Sequence, residues 1–214
     1  MTDHQALVDE LRAMTEVVRT ADVDQAADAG VDVAAMVGAI RLGRTALEDH
    51  VVDDVRMQAG LRAVDRPGAT PGTLPDLTGI TPEDFFPYSP VIGPLNPIAP
   101  PFRFWMEGDE VHGEGRFGAA FNGPPGGVHG GLVAALMDEV LGVTGVMTGN
   151  HGFTGTLSIR YESLTPVDTD LTVRGWVEGT EGRKAFISGE VCADGHVCAR
   201  AHGVFIQPKV DDAG

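Results

Sequence analysis

The residues best suited to chemistry lie in one short run. His129-Gly130-Gly131 is followed, seven residues after the second glycine, by Asp138 and Glu139. From Gly130 to Met147 these two acids are the only charged side chains, set among Gly, Ala, Val, Leu, Met and Thr. A helix that is apolar nearly all round is built for burial. A carboxylate inside such a helix is costly unless it has a partner or does chemistry. Glycines at the helix start leave backbone N–H groups open to a ligand, where the helix dipole favours negative charge. Oxyanion donors and a carboxylate on one helix point to acyl-transfer chemistry.

Other chemistries fit the residues poorly. No serine sits in a G-x-S-x-G elbow. The stretch Gly123–Gly131 is rich in glycine but lacks the Gly-Lys-Ser/Thr ending of a phosphate loop. Histidines 4, 50, 112, 151, 196 and 202 show no metal-ligand spacing, and the two cysteines do not form a zinc pattern, so no metal and no cofactor is expected. A formal charge of −16 argues against nucleic acid or an anionic membrane as partner. No run of ~18 apolar residues is uninterrupted by charge, and the first residues lack the basic, apolar pattern of a secretory signal. A cytoplasmic protein is expected.

The elements that must position the acids can be read from periodicity. With 214 residues, 43% of them hydrophobic, the chain can bury a sizeable core. Residues 1–65 read as a helical extension. His4–Ala21 has apolar residues at Leu7, Leu11, Met14, Val17 and Val18, and further segments lie around Val31–Leu42 and Thr45–Leu61. Residues 66–101 hold most of the 14 prolines and read as an extended arm lying on the domain. Residues 102–208 alternate as strands around the single apolar helix, with 209–214 as a tail. The expected strands are Phe102–Trp105, Val111–Phe117, Thr154–Glu162, Leu171–Val177, Ala185–Cys192 and Val197–Ile206, with Thr165–Asp168 and Glu178–Gly182 as turns. Strands joined by short turns give an antiparallel sheet, and the buried helix must pack on its concave face. If Asp194-Gly195 is a two-residue turn, Cys192 lies opposite Val197; a three-residue turn would set Cys192 against Cys198. Reduced thiols are expected.

The sequence resembles the hotdog-fold acyl-CoA thioesterases, in particular their phenylacetyl-CoA thioesterase-like branch, over roughly residues 85–207. The resemblance rests on three pieces. One is His129-Gly130-Gly131-x₆-Asp138 with Gly142. Another is Thr154-x-x-Leu157-x-Ile159-x-Tyr161 with Thr165-Pro166. The third is the pair of proline-rich stretches Pro94–Pro101 and Gly123–Gly126. It implies an α+β hotdog fold and hydrolysis of an acyl-CoA, with coenzyme A as part of the substrate.

By that resemblance Asp138 is the catalytic carboxylate, acting as nucleophile or general base. His129 and the Gly130–Gly131 backbone bind the thioester carbonyl, Thr154 orients the carboxylate or the attacking water, and Asn122 contributes to substrate binding. The family divides on Asp or Glu, and spacing points to Asp138 rather than Glu139, which is expected to face solvent or an interface. Arg183 and Lys184, with Arg160 or Arg174 as further candidates, are expected at the phosphates of coenzyme A, because a −16 protein must offset its own field locally. Gly131 and Asp138 are separated by about 10 Å along a helix axis. A site shared across a homodimer is therefore expected, with a tetramer as a further step. A hotdog hydratase or a non-catalytic acyl-CoA sensor is the alternative reading.

Overall fold

The computed structural model describes residues 2–48, 50 and 79–208. The later part of the third expected helix, the first part of the arm and the tail from 209 lie outside the described residues.

Six antiparallel strands form one sheet: β1 (Phe102–Glu107), β2 (Glu110–Gly115), β3 (Phe153–Tyr161), β4 (Leu171–Glu181), β5 (Lys184–Ala193) and β6 (His196–Ile206). Their spatial order is β1-β2-β4-β5-β6-β3. The helix Gly130–Met147, numbered α5 below, packs on the concave face against β2 to β6. This is the expected hotdog arrangement. The reason is burial: Val133, Leu136, Met137, Val140, Leu141 and Val143 of α5 are all but sealed from solvent. They meet Val111, Leu171, Val173, Ile187, Val191 and Phe205 of the sheet in one core.

The turns follow their residues. Gly108, at φ 62°, opens the β1–β2 turn. Asp194 and Gly195 both have positive φ, as a two-residue hairpin turn demands. Cys192 therefore pairs with Val197, and both cysteines are free thiols. One expectation fails here. Glu178–Glu181, read as turn-like, belongs to β4, which runs on past a bulge at Glu178; only Gly182 and Arg183 turn. The bulge absorbs the residue that breaks the alternation.

Ahead of the sheet lie α1 (Asp3–Thr20), α2 (Val23–Asp28), α3 (Val33–Glu48) and the single turn α4 (Pro82–Phe85). The second and third expected segments join in α3, which runs straight through Gly43 and Arg44. The periodic apolar residues of α1 do not face the body. Leu7, Leu11, Met14, Val17 and Val18 are exposed, while Val8 is buried. Polar bonds dock the inner face: Arg12 Nη2 donates to the carbonyls of Gly93 and Asn96 at 3.0 and 2.9 Å, and Gln5 Nε2 to that of Pro94 at 3.1 Å. Burial lowers the pKa of Arg12 from its ordinary value, against the pull of Asp9. The arm in turn lies on the sheet, with Phe85, Ser89, Ile92 and Ala99 buried. Glu83 accepts the Phe104 N–H at 2.9 Å, covering part of the open edge of β1.

Candidate active site

The two acids on α5 have different surroundings. Asp138 is half-buried, and Thr154 Oγ1 at the start of β3 donates to its Oδ1 at 3.0 Å. A single donor on one oxygen fixes the carboxylate plane while leaving acceptor capacity on the other. Glu139, about 100° further round the helix, points to the arm instead. Ser89 Oγ donates to its Oε1 at 2.6 Å and accepts the N–H groups of Val91 and Ile92 at 3.1 and 3.2 Å. Burial pushes the Glu139 carboxyl above its ordinary pKa; the Ser89 bond opposes this and the charge of Asp138 adds to it. The expectation that Glu139 faces solvent or an interface is met by neither in this chain: a segment fifty residues earlier covers it.

At the helix start, His129 is the N-cap. Its Nδ1 accepts the Gly131 N–H at 3.0 Å. A backbone N–H can only donate, so a neutral ring carries its proton on Nε2, and that donor is turned outward on an exposed side chain. A Cβ on residue 131 would stand 3.2 Å from two atoms of this ring, a tight contact that would push the imidazole aside. The His129 carbonyl accepts from Leu132 and Val133 at 2.8 and 3.2 Å. The N–H of Gly130, on the same peptide group, has no acceptor among the described residues. Of the two glycine donors expected for an oxyanion, one is therefore already used within the chain and the other is open.

Tyr161, at the far end of β3, donates from its hydroxyl to the Gly130 carbonyl at 2.8 Å. Sequence reasoning placed Tyr161 in the strand pattern and gave it no role. Its parity with Leu157 and Ile159, which line the core, was the available signal.

The other candidates are more scattered. Asn122 is exposed in the loop before α5, where Arg19 Nη2 of α1 donates to its Oδ1 at 3.0 Å. Glu16 of α1 accepts the Ala120 N–H at 3.3 Å, so α1 braces the loop that leads to His129. Arg183 and Lys184 lie at the exposed β4–β5 turn, and Arg183 Nη1 donates to the Gln207 carbonyl at 2.8 Å. Lys184 pairs with Ile206, which pairs with Phe153, so this cationic end of the sheet lies two strands, roughly 10 Å, from the start of β3.

Arg160 and Arg174 are not brought to Asp138. They belong to a row of partners across the sheet, Arg160, Arg200, Glu190, Arg174, His112 and Trp105. Carboxylates already hold them: Glu162 for Arg160, Glu190 and Glu110 for Arg174. Among the described residues no three His, Cys, Asp or Glu side chains are placed to hold a metal ion.

Within one chain, then, Asp138 and Thr154 form one group and His129, Gly130, Gly131 and Tyr161 another, about 10 Å apart along the helix.

The comparisons bear on the same segment. Residues 125–199 match the family described as Thioesterase superfamily. The human protein named acyl-coenzyme A thioesterase THEM5 is 34% identical over 97 residues, 44% of this chain and 39% of that protein. MIOREX complex component 3 of Saccharomyces cerevisiae is 34% identical over 89 residues, 39% of this chain and 33% of its own length. The matched stretches thus span about two fifths or less of these curated relatives. A solved thioesterase superfamily protein superposes over 96% of this chain and 95% of its own at TM-score 0.72, with 28% identity. Residues 125–199, which run from the loop before α5 into β6, are thus similar to the thioesterase superfamily, and the chain as a whole has the fold of the solved thioesterase superfamily protein.

Proposed function

We propose that the chain hydrolyses an acyl-CoA thioester to a free acid and coenzyme A. The observation that carries this reading is the oriented Asp138 carboxylate, held by Thr154 on a core helix within the segment that matches the thioesterase superfamily. Asp138 attacks the thioester carbonyl, forming a mixed anhydride that water then cleaves, or it takes a proton from the attacking water. The oxyanion is met by the Gly130 N–H and by His129 Nε2–H, while the Gly131 N–H orients the imidazole. A histidine whose Nδ1 is an acceptor and whose Nε2 is protonated serves as donor, not base. Thr154 orients the carboxylate. Asn122, at the loop before α5, lines the entry for substrate.

The thioester carbonyl must lie within about 3 Å of both groups. Since they are some 10 Å apart in one chain, the complete site joins Asp138 of one subunit to the helix start of a second. The open edge of β3 supports a homodimer with two equivalent sites, and dimers can pair further into tetramers. The nucleotide end of coenzyme A binds at Arg183 and Lys184, at the same end of the sheet as Thr154 and two strands away. The free thiols Cys192 and Cys198 suit a reducing compartment, the cytoplasm.

The test is release of free thiol from a panel of acyl-CoAs of different chain length and ring content. At least one is expected to be turned over, and Asp138→Asn to lower the rate by about 100-fold or more with an unchanged fold. Binding without thiol release by the parent chain would leave a non-catalytic acyl-CoA binder. Single turnover in ¹⁸O water separates the two chemical routes, since only the anhydride route can place label in Asp138. Mixing Asp138→Asn chains with chains carrying a bulky residue at Gly131 should restore one working site per mixed dimer.

A further inference from the structure

We propose that Tyr161 is a positioning residue for the oxyanion donors, acting through the Gly130–Gly131 peptide; this rests on the thioesterase reading above. Two observations meet on that one peptide group. Its carbonyl oxygen, Gly130 O, takes the Tyr161 hydroxyl at 2.8 Å, and its N–H, that of Gly131, is taken by His129 Nδ1 at 3.0 Å. An α-helix supplies a first-turn carbonyl with one donor, the N–H four residues on. The oxygen has two lone pairs, and Tyr161 fills the second from outside the helix.

The consequences are directional. A peptide held at both ends cannot rotate about its flanking bonds without losing a hydrogen bond. Helix starts are otherwise the part of a helix that frays, and two consecutive glycines give this one the widest backbone freedom. Pinning the Gly130–Gly131 plane fixes Gly130 on its C-terminal side. On the N-terminal side the His129 carbonyl is already held by Leu132 and Val133. The unpaired Gly130 N–H is thereby aimed. The same peptide also sets the His129 ring, because the Gly131 N–H is what Nδ1 bonds. A donor on the carbonyl polarises the peptide and strengthens its N–H as a donor, so the hydroxyl of Tyr161 reaches the imidazole through one conjugated group.

The ring supports the same role. It lies 3.6–3.7 Å from where a Cβ on residue 130 would stand, so it covers the helix start in ordinary van der Waals contact. Tyr161 is itself fixed by strand pairing with Ala199 of β6. The sheet therefore sets the geometry of the helix start through a single side chain. The Tyr161 proton is committed to a carbonyl, which makes the residue a positioner and not an acid in the reaction.

Tyr161→Phe keeps the ring and removes the hydroxyl. The expected result is kcat lowered about three- to tenfold with KM for acyl-CoA unchanged within about twofold, the pattern of an interaction felt only in the transition state. Replacing Tyr161 with ring-fluorinated tyrosines of rising acidity should raise kcat in step, at pH values where the phenol stays protonated. Mere packing would not respond to acidity. Independently of turnover, the amide resonances of Gly130 and Gly131 should move in Tyr161→Phe while those of β4 and β5 stay in place.

Unchanged kcat in Tyr161→Phe, a loss confined to KM, or unmoved glycine amides would each overturn the proposal. If the parent chain releases no thiol from any acyl-CoA, the thioesterase reading fails. The catalytic role of Tyr161 falls with it, and the amide shifts still decide whether Tyr161 orders the peptide.

Discussion

The two halves of the chain are held together by opposite means. In the hotdog half, α5 and the sheet share one apolar core, and the bonds Thr154–Asp138 and Tyr161–Gly130 link elements that this core already holds together. In the N-terminal helices α1 to α3 most of the apolar side chains are outside, whereas the arm that follows buries Phe85, Ile92 and Ala99. Among the described residues of α1 to α3 only Val8 is buried, α3 has no buried residue, and Ile40 is 56% exposed. What attaches α1, beside the buried Val8, is a line of polar side chains: Gln5 and Arg12 donate to carbonyls of the arm, Glu16 accepts the Ala120 N–H and Arg19 donates to Asn122 Oδ1. The contrast separates a part whose stability comes from excluded water from a part whose position comes from directed hydrogen bonds. The first is hard to deform and suits a reaction centre. The second can be released at little cost in buried area.

Four substitutions would break or sharpen that contrast, the largest effect first. Leu136 is fully buried at the centre of α5, so Leu136→Ala should cost about 2–5 kcal/mol in chemical denaturation. A loss below 1 kcal/mol would mean that the core is not where the hotdog half gets its stability. Arg12→Ala strips donors from the Gly93 and Asn96 carbonyls, with an expected cost of about 1–3 kcal/mol. Hydrogen exchange should quicken in residues 3–20 and 93–96 and stay slow in β4 to β6. Acceleration throughout would show the two halves to be one cooperative unit.

Glu139→Gln probes the seam between the arm and α5. The folded chain holds the Glu139 carboxyl above its ordinary value of 4.5, chiefly by burial. The folded state therefore binds this proton more tightly than the unfolded one. The stabilisation is complete below 4.5 and is lost as pH rises through the raised value. The parent should lose stability across that window relative to Glu139→Gln, which keeps the Ser89 partner and cannot ionise. Parallel pH curves for the two proteins would count against the burial argument. Smallest of all, Ile40→Ala should change stability by less than about 0.5 kcal/mol. A larger change that grows with protein concentration would reveal that a partner covers this face.

Much of the hotdog half was legible because its signals are local. The apolar run of α5 with its two acids and the turn at Asp194-Gly195 follow from residues within a few positions of one another, whereas the register of Cys192 and Cys198 hangs on a turn length that the sequence leaves at two or three residues. Thr154 beside Asp138 came from the family pattern and is matched by a 3.0 Å bond. What escaped depends on distant segments. Nothing near Glu139 announces that Ser89 will cover it. The apolar periodicity of α1 locates the helix but not the face that docks, because Arg12 and Gln5 find carbonyls on the arm that no local pattern reveals. The late residues of β4 were misread for another reason: a bulge lets Gly and Glu stay in a strand that alternation alone would end.

Arg12 ties the fate of two distant stretches of sequence. One guanidinium adds a second donor to the carbonyls of residues 93 and 96, which also accept the N–H groups of Asn96 and Ala99 within the proline-rich turn. A relative that lost α1 would keep those backbone bonds but lose the side chain that clamps the two carbonyls together and ties the turn to the helix. The first twenty residues and the Gly93–Pro97 turn should therefore be gained and lost together during divergence, even where α5 and its acids persist unchanged.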